Sequence, residues 1–198
     1  MTILMVVALA AAGLMPGSAS AATISLAPSS ASVLIGDAFT LDIVISDLGG
    51  EIVSAYDLDV LYDSTALIAT GVSFGPLLGD ESLFEVLNAY DLSTSGIVDL
   101  AQLSLLSDAE LQTLQGPSGS FVLATLAFTA IDAGVTTVDF SFDAFNDIKG
   151  LNGLQLEVVG VGASVTGINP IPEPGSVMLM AIGMLVVGPA VWRSVRAQ

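Results

Sequence analysis

The chain has no cysteine and no histidine, and among its 198 residues only Lys149, Arg193 and Arg196 are basic. Without Cys or His there is no disulfide scaffold, no thiolate nucleophile and no imidazole to ligate zinc. The fold must be held by packing alone. Against those cations stand 20 Asp and Glu residues, a formal net charge of −17. Nucleic-acid affinity comes largely from Lys and Arg displacing counterions from phosphates, so nucleic acid is excluded as a partner. A surface of this sign favours cations, neutral glycans or basic protein patches. Tryptophan occurs once, at Trp192, close to the end of the chain. What is plentiful is apolar residues, 53% of the total, enough for the core of one domain.

Both ends read as addresses. At the start, MTILMVVALAAAGLMPGSASAATISL has an apolar stretch over residues 3–15, a break at Pro16-Gly17, and the small residues Ala19-Ser20-Ala21. This is the layout of a secretory signal peptide over residues 1–21, with no Lys or Arg before the apolar stretch. The stretch is too short to span a bilayer, which takes about 20 residues. At the other end, residues 175–192 are apolar throughout and are followed by Arg193 and Arg196. They read as a transmembrane helix, with residues 193–198 as a basic tail held in the cytoplasm and the main domain outside.

Between domain and helix, residues 169–174 end in Pro172-Glu173-Pro174. Two prolines around a carboxylate keep the backbone extended and apart from the following helix, so the motif is accessible to a processing enzyme. Pro-Glu-Pro, one apolar helix and a short tail carrying Arg193 and Arg196 together resemble the PEP-CTERM sorting signal of Gram-negative bacteria. The resemblance implies recognition by an exosortase, a membrane-embedded cysteine protease. Release or transfer of the upstream domain to the cell envelope or its polysaccharide matrix would follow.

Residues 22–168 form one domain, since no linker, repeat or charge block interrupts them. In DAFTLDIVIS, Phe39, Leu41, Ile43 and Ile45 alternate with polar or small neighbours. Tyr56, Leu58, Val60 and Tyr62 do so in VSAYDLDVLYD, and Val138, Phe140 and Phe142 in TTVDFSFD. A period of two with one wet face predicts antiparallel sheet buried on one side. LFEVLN, IVDLAQLSL, SFVLATLAFTA and LQLEVVGVGASVT add further strands. Turns fall at residues 47–50, 93–96, 132–134 and 149–150. The expectation is an all-β sandwich or jelly roll of about nine strands. SDAELQTLQG breaks the pattern: Ser107 and Glu110 form a capping box and Gly116 can close one short helix.

LIGDAFTLDIVISDL, VSAYDLDVLYDSTAL, GSFVLATLAFTAIDAGVTTVDFS and a Val-rich closing strand follow one another in the order seen in cohesin domains, which this domain resembles over most of residues 23–166. The most telling parts are Tyr62-Asp63 followed by Leu67, and Gly-x-Phe-x-Leu-Ala-x-Leu-x-Phe starting at Gly119. Ser64 stands where a proline commonly follows the Tyr-Asp pair. The resemblance implies an extracellular jelly roll, akin to certain carbohydrate-binding modules. It also implies a protein-binding sheet face on or near which Asp57, Asp59, Leu61 and Asp63 lie.

Four chemistries are open to these residues. Asp57 and Asp59 project from one strand face about 7 Å apart, within glycosidase spacing. However, the domain has no His, Arg or Trp to position a sugar, and the reading is non-enzymatic. Calcium has two candidate ligand sets: Asp57, Asp59 and Asp63, or Asp143, Asn146 and Asp147. Neither fits the EF-hand loop pattern, and no cofactor is otherwise called for. Tyr90, in the loop NAYDLSTSG, is the aromatic candidate for stacking on a glycan. Asp57, Asp59, Leu61 and Asp63 are the candidate protein contacts. The expectation is an exported adhesion or matrix-assembly protein; the alternative is a carbohydrate-binding module acting on exopolysaccharide.

Overall fold

The computed structural model describes residues 21–116, 119–141 and 147–170. The expected signal peptide, Pro-Glu-Pro motif, transmembrane helix and basic tail lie outside these residues, as do Phe142, Asp143 and Asn146. Among the described residues no helix is long and apolar enough to cross a membrane.

Twelve strands are described: β1 Ala22–Pro28, β2 Ser32–Leu34, β3 Ala38–Ser46, β4 Ala55–Tyr62, β5 Leu67–Phe74, β6 Val86–Asp91, β7 Ile97–Ser104, β8 Ser120–Ala130, β9 Gly134–Ser141, β10 Asp147–Lys149, β11 Val158–Val161 and β12 Ala163–Ile168. One sheet runs β11-β1-β3-β8-β5, the other β2-β12-β9-β4-β7-β6, with β10 continuing along β4 beyond β9. Pairing is antiparallel except where the first strands meet the last, β1 with β11 and β2 with β12. Those two parallel pairs bring the ends of the domain together. The architecture is the jelly-roll sandwich that the periodicity predicted.

The core forms because the apolar phase of each strand faces the opposite sheet. Phe39, Leu41, Ile43 and Ile45 of β3 are buried, as are Tyr56, Leu58 and Val60 of β4 and Leu126 and Phe128 of β8. Each large apolar side chain so buried stabilises the fold by about 1.5–3 kcal/mol. In β8 both Leu123 and Ala124 are buried, because Ile43 pairs with Ala124 and Val44 with Val122, leaving Leu123 as a bulge. The carbonyl of Leu123 accepts Gly75 N–H at 2.7 Å and the hydroxyl of Tyr56, from the other sheet, at 3.0 Å. A Cβ on Gly75 would lie 2.1 Å from the Val122 carbonyl, so only glycine fits this approach.

The strand count exceeds the expected nine for local reasons. β2 and β10 have three residues each, too few to show a period. In β5 the register shifts between Ala69 and Gly71, so the inward phase changes partway and alternation fails. LQLEVVGVGASVT is two strands in different sheets. The chain crosses over at Gly162, where a Cβ would come within 2.8 Å of the Val138 carbonyl. LFEVLN is strand only from Val86, since Glu81–Leu83 is a 3-10 turn and Phe84 has φ 58°. Strand β6 instead extends to Asp91, so Tyr90 is a strand residue and not a loop residue.

The helix, α1, spans Asp108–Gln115 with Ser107 and Gly116 as its caps. Glu110 accepts the Ser107 N–H at 2.8 Å and its hydroxyl at 2.7 Å. Leu111 and Gln115 are its buried residues. Gln115 acts as a strand substitute: its Oε1 accepts Val53 N–H at 2.8 Å, and its Nε2 donates to the Val53 carbonyl at 2.6 Å and the Leu77 carbonyl at 3.1 Å.

Candidate functional site

The outer face of the β9-β4-β7-β6 sheet is built in cross-strand rows. Asp91, Asp99 and Asp59 lie directly opposite one another on β6, β7 and β4. The next row is Ala89, Ala101, Asp57 and Asp147, and the one after is Leu87, Leu103, Ala55 and Lys149. At the other end Leu61 pairs with Ile97 and Asp139. Leucines therefore stand at both ends of a carboxylate band, with Leu61 at 40% exposure, Leu87 at 57% and Leu103 at 48%.

Like charges directly opposite on neighbouring strands repel. The carboxyl of Asp99 is accordingly raised above the ordinary range, by partial burial first and then by Asp59 and Asp91. Asp91 goes the other way, because the Ser93 N–H (2.7 Å) and hydroxyl (2.9 Å) both donate to it. A band of this kind is stabilised when a basic group from elsewhere sits over it. The protein's own Lys149 is engaged by Asp147.

Of the residues singled out from sequence, Asp57, Asp59 and Leu61 share this face and Asp63 does not. Asp63 ends β4 and makes a turn: its carboxylate accepts Thr65 N–H at 2.8 Å and Thr65 Oγ1–H at 2.7 Å, which hold it below the usual range. Its own carbonyl accepts from Ala66 and Leu67. This is an Asx-type turn, closed by the side chain of Asp63 itself. Tyr90 lies on the opposite side of β6, its ring centroid 6.4 Å from that of Phe74 on β5. Of the second calcium set, Asp147 is within the described residues and is paired with Lys149. Among the described residues no three carboxylates converge as a metal cage.

Leu87, Leu103 and Asp99 were not singled out from sequence, although a signal for them was present in DLAQLSL. The inward positions Leu100, Gln102 and Ser104 turn polar along β7, while the outward positions Asp99, Ala101 and Leu103 turn apolar. Immediately before β6, Phe84 is 85% exposed and held in the left-handed region, a rare placement for a bulky aromatic residue.

The fold is that of a cohesin module, as the first structural comparisons state directly. A cohesin module from a Clostridium perfringens family 33 glycoside hydrolase superposes with TM-score 0.59 at 13% identity, covering 76% of this chain and 98% of its own. A type II cohesin in a cohesin–X-dockerin complex from Acetivibrio cellulolyticus gives TM-score 0.57 at 16% identity, covering 74% and 99%. A non-cellulosomal cohesin from the archaeon Archaeoglobus fulgidus gives 0.56 at 15%, covering 75% and 92%. At these identities the likeness is one of fold. Residues 170–197 match the family model of the PEP-CTERM protein-sorting motif, the mark of a secreted, surface-directed protein of Gram-negative bacteria. No curated protein matches the chain.

Proposed function

We propose that this chain is an exported, non-enzymatic protein, cut at its sorting signal by an exosortase and delivered to the cell envelope or its polysaccharide matrix. There the β9-β4-β7-β6 face binds a protein partner in adhesion or matrix assembly. The observation that carries the reading is the presence in one chain of a sorting motif over residues 170–197 and, upstream, a cohesin-type sandwich with exposed leucines set around carboxylates. Apolar anchors with a charged surround are what a protein interface uses, the leucines losing water and the charges setting orientation. The similar Acetivibrio cohesin is in complex with a dockerin-bearing module. Carried over to this chain, that gives a partner of dockerin type, with basic side chains placed over Asp59, Asp91 and Asp99.

Photo-crosslinking in the native bacterium tests this. A photoreactive residue at Leu87 or Leu103 should give a discrete protein adduct, and one at Thr40, on the outer face of the other sheet, should give none. Leu103→Lys should reduce the adduct from position 87 about tenfold, since it places a charge where an apolar anchor is needed. Equal adducts from position 40, or none from either leucine position, would contradict the docking face.

A further inference from the structure

The change of polarity along β6 and β7 has an inner consequence as well as an outer one. β5 ends one sheet and β6 ends the other among the described residues, and the sandwich opens between these two edges into a cleft of about 670 Å³. Small-molecule sites typically enclose about 300–1,000 Å³. The cleft is lined on one side by Val72, Ser73 and Phe74, on the other by Asn88, Tyr90 and Gln102, with Asp80 and Glu81 at the turn joining the two strands.

Inside it a chain of amides has a fixed sense. Glu81 accepts from Asn88 Nδ2 at 3.1 Å, and Asn88 Oδ1 accepts from Gln102 Nε2 at 2.9 Å. Turning the Gln102 amide over would break the second bond, so its oxygen must point the other way. Gln102 is only 2% exposed, and that Oε1 has no hydrogen-bond partner among the described residues. A buried acceptor left unpaired is costly, and it asks for a donor from a ligand. Above it, at the mouth, the Tyr90 ring is half exposed and supported from behind by Phe74.

We propose that this cleft binds a neutral saccharide. The C–H face of the ring stacks on Tyr90, and a sugar hydroxyl reaches the enclosed Gln102 Oε1 once the lining side chains give way, donating to it while its own oxygen can accept. Anionic sugars are disfavoured by Asp80, Glu81 and the net charge of −17. The cations such carboxylates would attract find them already engaged: Asp80 accepts from Ser82 N–H and hydroxyl, and Glu81 from Asn88. The site is separate from the outer docking face and stands without it, because the two lie on opposite sides of β6 and β7.

The test is an NMR titration of the full chain in a detergent with no sugar head group, since sugar detergents would compete. The probes are maltotriose, cellotriose and xylotriose, with trigalacturonate as the anionic control. At least one neutral trisaccharide should shift the Gln102 side-chain amide and the Tyr90 ring signals, and trigalacturonate should not. Tyr90→Ala, at an exposed position that threatens no core, should weaken binding about tenfold. Gln102→Leu should weaken it by a similar factor, while Leu103→Lys on the outer face should leave it unchanged. No shift with any neutral trisaccharide at about 10 mM, an affinity too weak to matter, would overturn the proposal. So would equal shifts with trigalacturonate, or shifts confined to β4 and the outer face of β7.

Discussion

Asp99 sits between two carboxylates, and its ionisation opposes the fold. Its pKa is raised in the native state, so the penalty is present in full above that raised value and is relieved as pH falls through it. Asp63, Asp80, Asp91 and Glu110 have lowered values, and their contributions are lost as pH falls through the carboxylate range. Asp99→Asn should therefore stabilise the protein at neutral pH. The row is open to solvent, so the gain is small, about 0.5 kcal/mol, and added salt should shrink it. Thermal melts of both forms at low and high salt would check this; a lower melting temperature for the variant would contradict it. Tyr56 is the other telling residue. Burial pushes its hydroxyl far above the usual tyrosine range. The unfolded chain ionises first, so stability is lost as pH rises past about 10. Tyr56→Phe should abolish that alkaline loss. At neutral pH it should cost only about 1 kcal/mol, because the Leu123 carbonyl keeps its bond from Gly75.

At the scale of elements, what could be read from sequence was set by how regular each strand is. β3, β4 and β9 show a clean period of two and were legible. The register shift in β5 hid its alternation, and the crossover at Gly162 made two strands look like one. Helix α1 was legible because its signals are local: Ser107, Glu110 and Gly116 act within a few residues. Gln115 was not, since its partners Val53 and Leu77 are far away in sequence. The same holds for the candidate sites. Asp57, Asp59 and Leu61 lie on one strand and could be grouped at once, whereas Asp99 and Leu103 join them only through strand pairing. Gln115→Leu tests the helix clamp: it strands the Val53 N–H and carbonyl and should destabilise by about 2–3 kcal/mol. Denaturant unfolding would measure it, and a change below about 0.5 kcal/mol would show that the clamp is dispensable.

For the whole molecule the governing quantities are its charge and its ends. A net charge of −17 on a cysteine-free chain suits a domain that must stay soluble after export and be stable by packing alone. The sandwich supplies that packing, and the matched sorting motif is the basis of the proposed delivery route. Cell fractionation of the native bacterium, with immunodetection of the wild-type chain and of Glu173→Ala, tests that route most directly. A shortened wild-type protein is expected at the cell surface or in the matrix, and a full-length variant retained in the inner membrane. Identical processing and release of the two, or an uncut wild-type protein in the cytosol, would contradict it.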